Sequence, residues 1–143
     1  GGTANIFSQS KGDAISTSIR TSVGRVLAEQ KTGYLFAELV NSYDINNDLR
    51  FNVNPKFANS GSGDPIGLGT SINWQMSPSF SLVPETNIAI KEAESNWTVA
   101  VRYKPSDEKN IDIYTTNSYS FIDLGQLIKS KSQTIGISIG SNF

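Results

Sequence analysis

A chain of 143 residues has room for one domain with a core, and its 12 Lys plus Arg against 13 Asp plus Glu leave a net charge of −1, which points to no nucleic acid partner. Cys and His are both absent, which excludes thiol nucleophiles, disulfides, the usual zinc sites and every His-based triad, so no enzyme, cofactor or metal is expected. Charged residues are only 17% of the chain, against roughly 25% in ordinary soluble domains, and Ser, Asn, Thr and Gly replace them, an unusual dressing for a water-exposed surface.

Residues 1–13 have no periodicity and read as a flexible lead-in, with Gly1 and Gly2 as an expression scar, which leaves 14–143 as a single β-barrel domain. Over 14–30, Ile15, Thr17, Ile19, Thr21 and Val23 alternate with Ser16, Ser18, Arg20 and Ser22, as in a strand. Ile15, Ile19, Val23, Val26 and Leu27 also sit near helical spacing behind Asp13 as an N-cap, so strand and helix both stay open. The density of Ser, Thr and Ile favours the strand, with Gly24 placed for a bulge. A second strand covers 34–42, with Tyr34, Phe36 and Val40 on one face and Leu35, Ala37 and Leu39 on the other. Residues 44–48 (DINND) have calcium-loop spacing at their start, but Leu49 stands where Gly is needed and Pro55 where Glu is needed, so the segment is a turn.

Leu49, Phe51 and Val53 alternate with Arg50, Asn52 and Asn54 in a third strand, and 59–65 (NSGSGDP) is a flexible loop without phosphate-cradle spacing. Leu68, Thr70, Ile72, Trp74 and Met76 against Gly69, Ser71, Asn73 and Gln75 form the cleanest amphipathic strand. Phe80, Leu82, Ile88 and Ile90 continue the pattern after a turn, with Pro84 demanding a bulge or a break. Trp97, Val99, Val101 and Tyr103 then oppose Thr98, Ala100 and Arg102, and the Asn96-Trp97-Thr98 sequon inside that strand reads as chance. Ile111 and Ile113 alternate with Asp112 and Tyr114. Between 118 and 132, Phe121, Leu124, Leu127 and Ile128 have helical spacing, which predicts a long connection with one amphipathic turn. The last strand, 133–143, sets Ile135, Ile137, Ile139 and Phe143 against Gly136, Ser138, Gly140 and Asn142.

Turn signals every ten to fourteen residues, with no crossover helix, predict an all-β antiparallel up-and-down meander closing into a barrel of about eight strands. From the third strand to the eighth, the central positions of the apolar parity carry no charge, while Arg50, Glu85, Arg102 and Asp112 lie on the other. The final strand, with apolar residues at every second position and a closing Phe143, resembles that of bacterial outer-membrane β-barrel proteins, departing from the pattern at Ser141.

The resemblance implies an outer-membrane protein in contact with the lipid bilayer. It would be a whole barrel or the C-terminal barrel segment of a larger envelope protein, with a structural, anchoring or pore role. Arg50, Glu85, Arg102 and Asp112 would then be barrel-interior polar residues. Trp74, Trp97 and Phe143, with Tyr34 and Tyr103, would be lipid-facing at the interface, or else core aromatics. The alternative is a soluble barrel, periplasmic or cytoplasmic, that binds a partner protein or an apolar ligand among Leu68, Ile72, Trp74, Val99, Val101, Ile111 and Ile137. An acid–base pair such as Glu85 and Asp112 has no motif behind it. The exposure of Trp74, Trp97 and Ile137 relative to Arg50 and Arg102 separates the two main readings.

Overall fold

The computed structural model describes residues 1–25, 33–61, 63–106, 109–120 and 123–141. Nine strands form one sheet: β1 (Gly2–Phe7), β2 (Ser16–Arg25), β3 (Gly33–Asp44), β4 (Leu49–Ser60), β5 (Ile66–Ser77), β6 (Phe80–Lys91), β7 (Asn96–Ser106), β8 (Lys109–Ser118) and β9 (Lys129–Ser141). Each pairs antiparallel with the next in chain order, so the fold is a meander whose outer strands are β1 and β9. From β4 to β9 the period-two alternation places mostly apolar side chains on one face and mostly small or polar ones on the other, while β3 is apolar on both, with Tyr34, Phe36 and Val40 on one face and Leu35 and Leu39 on the other.

The strand count exceeds the expected eight because Gly2–Phe7 adds an edge strand to β2, pairing Gly2 with Thr21 and Ala4 with Ile19. Gly2 and Ala4 carry almost no side-chain signal, and the register shifts after Asn5, so backbone pairing rather than pattern makes this strand. The ambiguous stretch after Asp13 is a strand through Arg25, while Val26 and Leu27 lie outside the described residues. Gly24 is not a bulge. The β2–β3 register runs unbroken from Ser16↔Ser42 to Arg25↔Gly33, and the Tyr34 ring occupies the space a Cβ at Gly24 would need.

Pro84 neither bulges nor breaks β6. It pairs with Val99 of β7, while the ladder toward β5 lapses across Val83 and Pro84 and resumes in the same register. A missing amide donor therefore costs ladder hydrogen bonding without changing the course of the strand. The connection after β8 is shorter than expected: β9 starts at Lys129, and the helical turn is a 3-10 turn, Asp123–Leu127.

That 3-10 turn lies against one face of the sheet and touches β3, β6 and β8. A five-residue turn reaches three such separated strands because the sheet curls around it. Leu127 packs on Phe36 of β3 and Ala58 of β4, and all three are buried, with Tyr34 and Ala93 at the margin. This small cluster is the hydrophobic core; most of the other large apolar side chains among the described residues lie on the opposite face.

Candidate functional site

The face turned away from the 3-10 turn is apolar and open. Register places Trp74, Leu82, Val101, Ile113 and Ile137 in one row across β5 to β9. Trp74 is 50% exposed, Val101 40%, Ile113 54% and Ile137 68%. No central outward position of β3 to β7 carries Asp, Glu, Lys or Arg; Lys91 meets Ile66 only at the end of β6, past a register shift. On β8 and β9 the charges of that parity are at strand ends, Lys109, Lys129 and Lys131, with Lys129 opposite Ser118 past a second shift. In ordinary domains this much contiguous apolar surface is buried.

The enclosed face is polar, and β5 explains how. Its first inward positions are Gly67, Gly69 and Ser71, so side chains of β4 can cross it there. Lys56 passes over Gly69, where an added Cβ would lie 2.7 Å from its Cε. The Lys56 ammonium donates to Glu85 Oε1 at 2.7 Å, Asn87 Oδ1 at 2.6 Å and Gln126 Oε1 at 2.7 Å, with Glu38 Oε1 at 3.7 Å. Three N–H groups meet three acceptors, which is the condition for holding a cation at 2% exposure. Arg20 extends the row, 3.6 Å from Glu38 and over the ring of Phe36 at 5.4 Å.

Arg102 forms a two-pronged pair with Asp112, at 2.7 and 2.8 Å. Arg50 pairs the same way with Asp44, its Nη2 donating to Oδ2 at 3.1 Å, near the β3–β4 turn. Thr98, Thr116 and Ser118 share a hydroxyl chain at 2.7 and 2.8 Å. Asn87 donates to Asn96 at 2.9 Å, and Asn96 donates to the Gln126 carbonyl at 2.7 Å. Among the described residues, only the Ser22 hydroxyl is a buried side-chain oxygen or nitrogen without a partner.

Outside the strands, the Glu92 carboxylate accepts the Asp64 amide at 2.8 Å, tying the β6–β7 turn to the β4–β5 loop. That hydrogen bond, helped by Lys91, holds the Glu92 carboxyl below the usual glutamate range. Glu92 also has a left-handed backbone, φ 51°.

Of the residues singled out in the sequence, Asp112 is buried on the enclosed face, Glu85 and Arg102 are half-buried there, and the Arg50 side chain is 52% exposed. Trp74 points outward, and Trp97 shares its face, half-buried beside Thr86; Phe143 lies outside the described residues. Tyr103 is also outward, stacked on Phe80 at 4.9 Å between centroids. Tyr34 does not belong to an outer girdle: it is on the enclosed face, its ring against Gly24 and the Phe36–Ala58–Leu127 cluster. Leu68, Ile72, Trp74, Val99, Val101, Ile111 and Ile137 all lie on the open face, so they surround no enclosed space. Sequence reasoning missed Lys56, Glu38, Asn87, Asn96 and Gln126. The one available signal was the side-chain-poor run Gly67, Gly69, Ser71, which leaves room for a long neighbour.

Glu85 and Asp112 are each committed to a different cation, Lys56 and Arg102. No group of three or more metal-binding side chains occurs among the described residues. No helix among them is long and apolar enough to cross a membrane, a statement that does not bear on strands. No protein-family model, no curated protein and no solved structure matches the chain.

Proposed function

We propose that the sheet is the wall of a small outer-membrane β-barrel, non-enzymatic, with its apolar face in hydrocarbon and its ion-paired face lining the interior. The carrying observation is the inverted distribution: Ile113 and Ile137 are open, while Lys56 and Asp112 are enclosed and paired. Water reverses that preference and hydrocarbon satisfies it. One Arg at mid-bilayer on the outer face would cost about 2–4 kcal/mol, and the central outward positions of β3 to β7 hold none.

Dimensions agree with this reading. The uncharged outward run of β5 goes from Ile66 to Met76. Ten steps of about 3.3 Å at a tilt of about 40° give a height of about 25 Å, the height of the apolar band of such barrels. A sheet curled round Leu127 and Lys56 leaves little free lumen, which favours structural or anchoring work over wide passage of solute. A soluble domain with the same outer face would need a partner covering far more than the few hundred Å² of apolar patch that monomers expose.

The test is reconstitution. In phosphatidylcholine vesicles the chain should become a protease-resistant β-sheet, and Val101→Arg should lower its stability there by about 2–4 kcal/mol. A monodisperse, folded chain in plain buffer, in which Val101→Arg changes nothing, would sink the membrane reading.

A further inference from the structure

Two prolines interrupt the sheet in the same way, and only one interruption is mended. Pro55 of β4 keeps its pairing with Leu68, while the ladder toward β3 lapses between Glu38↔Lys56 and Asn41↔Val53. Pro84 of β6 keeps Val99, while the ladder toward β5 lapses between Ser71↔Glu85 and Trp74↔Leu82. A proline that still pairs on one side turns its ring nitrogen to the other, where the carbonyl opposite loses its donor. In the unshifted registers those carbonyls belong to Leu39 and Ile72. At the first gap Asn41 supplies donors: its Nδ2 donates to the Val53 carbonyl at 2.9 Å and to the Leu39 carbonyl at 3.4 Å, and its amide donates to Asn54 Oδ1 at 3.2 Å. At the second gap no side chain among the described residues donates to the Ile72 carbonyl.

Over the second gap the outward face has a depression of about 360 Å³, walled by Phe51, Trp97 and Val99. Ser71 and Glu85 also border it although their side chains bond Asn52 and Lys56 on the enclosed face, so it reaches down to the backbone. Thr70 borders it too, with a hydroxyl that makes no hydrogen bond among the described residues. The Thr86 hydroxyl is already given to the Asn96 carbonyl at 3.2 Å. Resting on the membrane reading above, we propose that this depression is a lipid site for an acyl chain that carries a hydroxyl partway along its length, which donates to the Ile72 carbonyl and accepts from Thr70. In hydrocarbon an acceptor without a donor has no water to turn to, and a donor brought by the lipid meets that lack. Depth selects where the hydroxyl must be. Ile72 is four residues from Met76, the nearer end of the uncharged run of β5, which places it about 10 Å below the rim at about 3.3 Å per residue and about 40° of tilt. Hydroxyls of headgroups, or beside a carboxyl, stay at the interface and do not reach it. The Pro55 gap has a similar depression of about 270 Å³, but its carbonyl is served by Asn41, so it has no use for the hydroxyl.

The experiment uses the chain folded into phosphatidylcholine vesicles, a lipid with no hydroxyl to donate. Trp74→Phe leaves Trp97 as the only tryptophan, and its fluorescence follows titration with 12-hydroxystearic, 2-hydroxystearic or stearic acid. The first should bind about ten-fold tighter than the other two, the worth of one hydrogen bond to an acceptor otherwise unpaired. Pro84→Ala returns a backbone N–H to the Ile72 carbonyl and should erase that preference while leaving stearic acid binding nearly unchanged. Thr70→Val should weaken the preference, and Pro55→Ala should leave it intact. Equal affinity for the three acids in an inserted, protease-resistant chain overturns the proposal and leaves the membrane reading standing. A preference that survives Pro84→Ala, or that is lost equally in Pro55→Ala, overturns it as well. A chain that never enters the vesicles removes the membrane reading itself, and the proposal falls with it.

Discussion

Lys56 is a hub of the enclosed electrostatics, since it links β4, β6 and the 3-10 turn. Removing one partner of a buried pair leaves the other charged and unsolvated, so Lys56→Met should cost about 3–5 kcal/mol in urea unfolding of the vesicle-bound chain. Adding Glu85→Gln should recover part of that loss. Arg50 makes a comparable pair with Asp44, but its side chain is 52% exposed, and Arg50→Met should cost under about 1 kcal/mol. Arg50 was legible as an inward residue of an alternating strand; Lys56 was not. The contacts of Lys56 skip a whole strand, and no local pattern encodes which residues face each other across β5.

Glu92 gives a pH dependence whose sign follows from its depressed pKa. The folded state favours the carboxylate, so the contribution is present above the unfolded-state pKa and is lost as pH falls through the lower folded value. Protection of the Asp64 amide should therefore disappear on acidification below the usual glutamate range, as followed by hydrogen exchange against pH. Glu92→Gln should flatten that profile. An unchanged profile in Glu92→Gln would mean that the carboxylate is not what holds the β4–β5 loop.

At the scale of elements, the 3-10 turn and the strand beneath it fit by omission. A Cβ on Gly67 would sit 2.6 Å from Leu127 Cδ2 and 3.3 Å from the Ile88 carbonyl oxygen. Leu127 is 1% exposed and has nowhere to move, so Gly67→Ala should destabilise by about 1–3 kcal/mol through overpacking. Leu127→Ala should cost about 2–5 kcal/mol through the opposite defect. Both are read as shifts in urea midpoint, and additivity of the two would argue against direct contact, since touching residues couple.

Elements whose side chains alternate strongly were readable from the sequence, as β5 shows from Leu68 to Met76. β1 was not, because an edge strand begun with Gly2, Thr3 and Ala4 is made by backbone pairing on β2. Pro84 misled in the other direction: a proline in mid-strand usually interrupts it, yet here the ladder lapses on one side only. The 3-10 turn was half legible. Leu127 stood out by its spacing, but its packing on Phe36 and Ala58 depends on how tightly the sheet curls.

For the molecule as a whole, alternation establishes two unlike faces but is symmetric between them. Either face could be the inner one, and the choice rests on which side the β8–β9 connection takes. Here the connection takes the polar side: Gln126 bonds Lys56, and Asn96 bonds the Gln126 carbonyl. Apart from the Phe36–Ala58–Leu127 cluster and its neighbours, most of the apolar surface is thereby left outward, and the surrounding medium becomes part of the fold. If that medium is hydrocarbon, its thickness matters, because the uncharged outward run of β5 is about 25 Å tall when tilted and a mismatch costs fractions of a kcal/mol per Å. Folding yield, scored by protease resistance, should be higher in thin dilauroyl phosphatidylcholine vesicles than in thick dierucoyl ones. Lys109, Lys129 and Lys131, at strand ends on the outward parity, set the limit, since a thicker bilayer drags them toward hydrocarbon. Replacing the three with Ser should raise the yield in the thick vesicles and leave the thin ones nearly unchanged. Equal yields at both thicknesses would mean that the band is not matched to a bilayer at all.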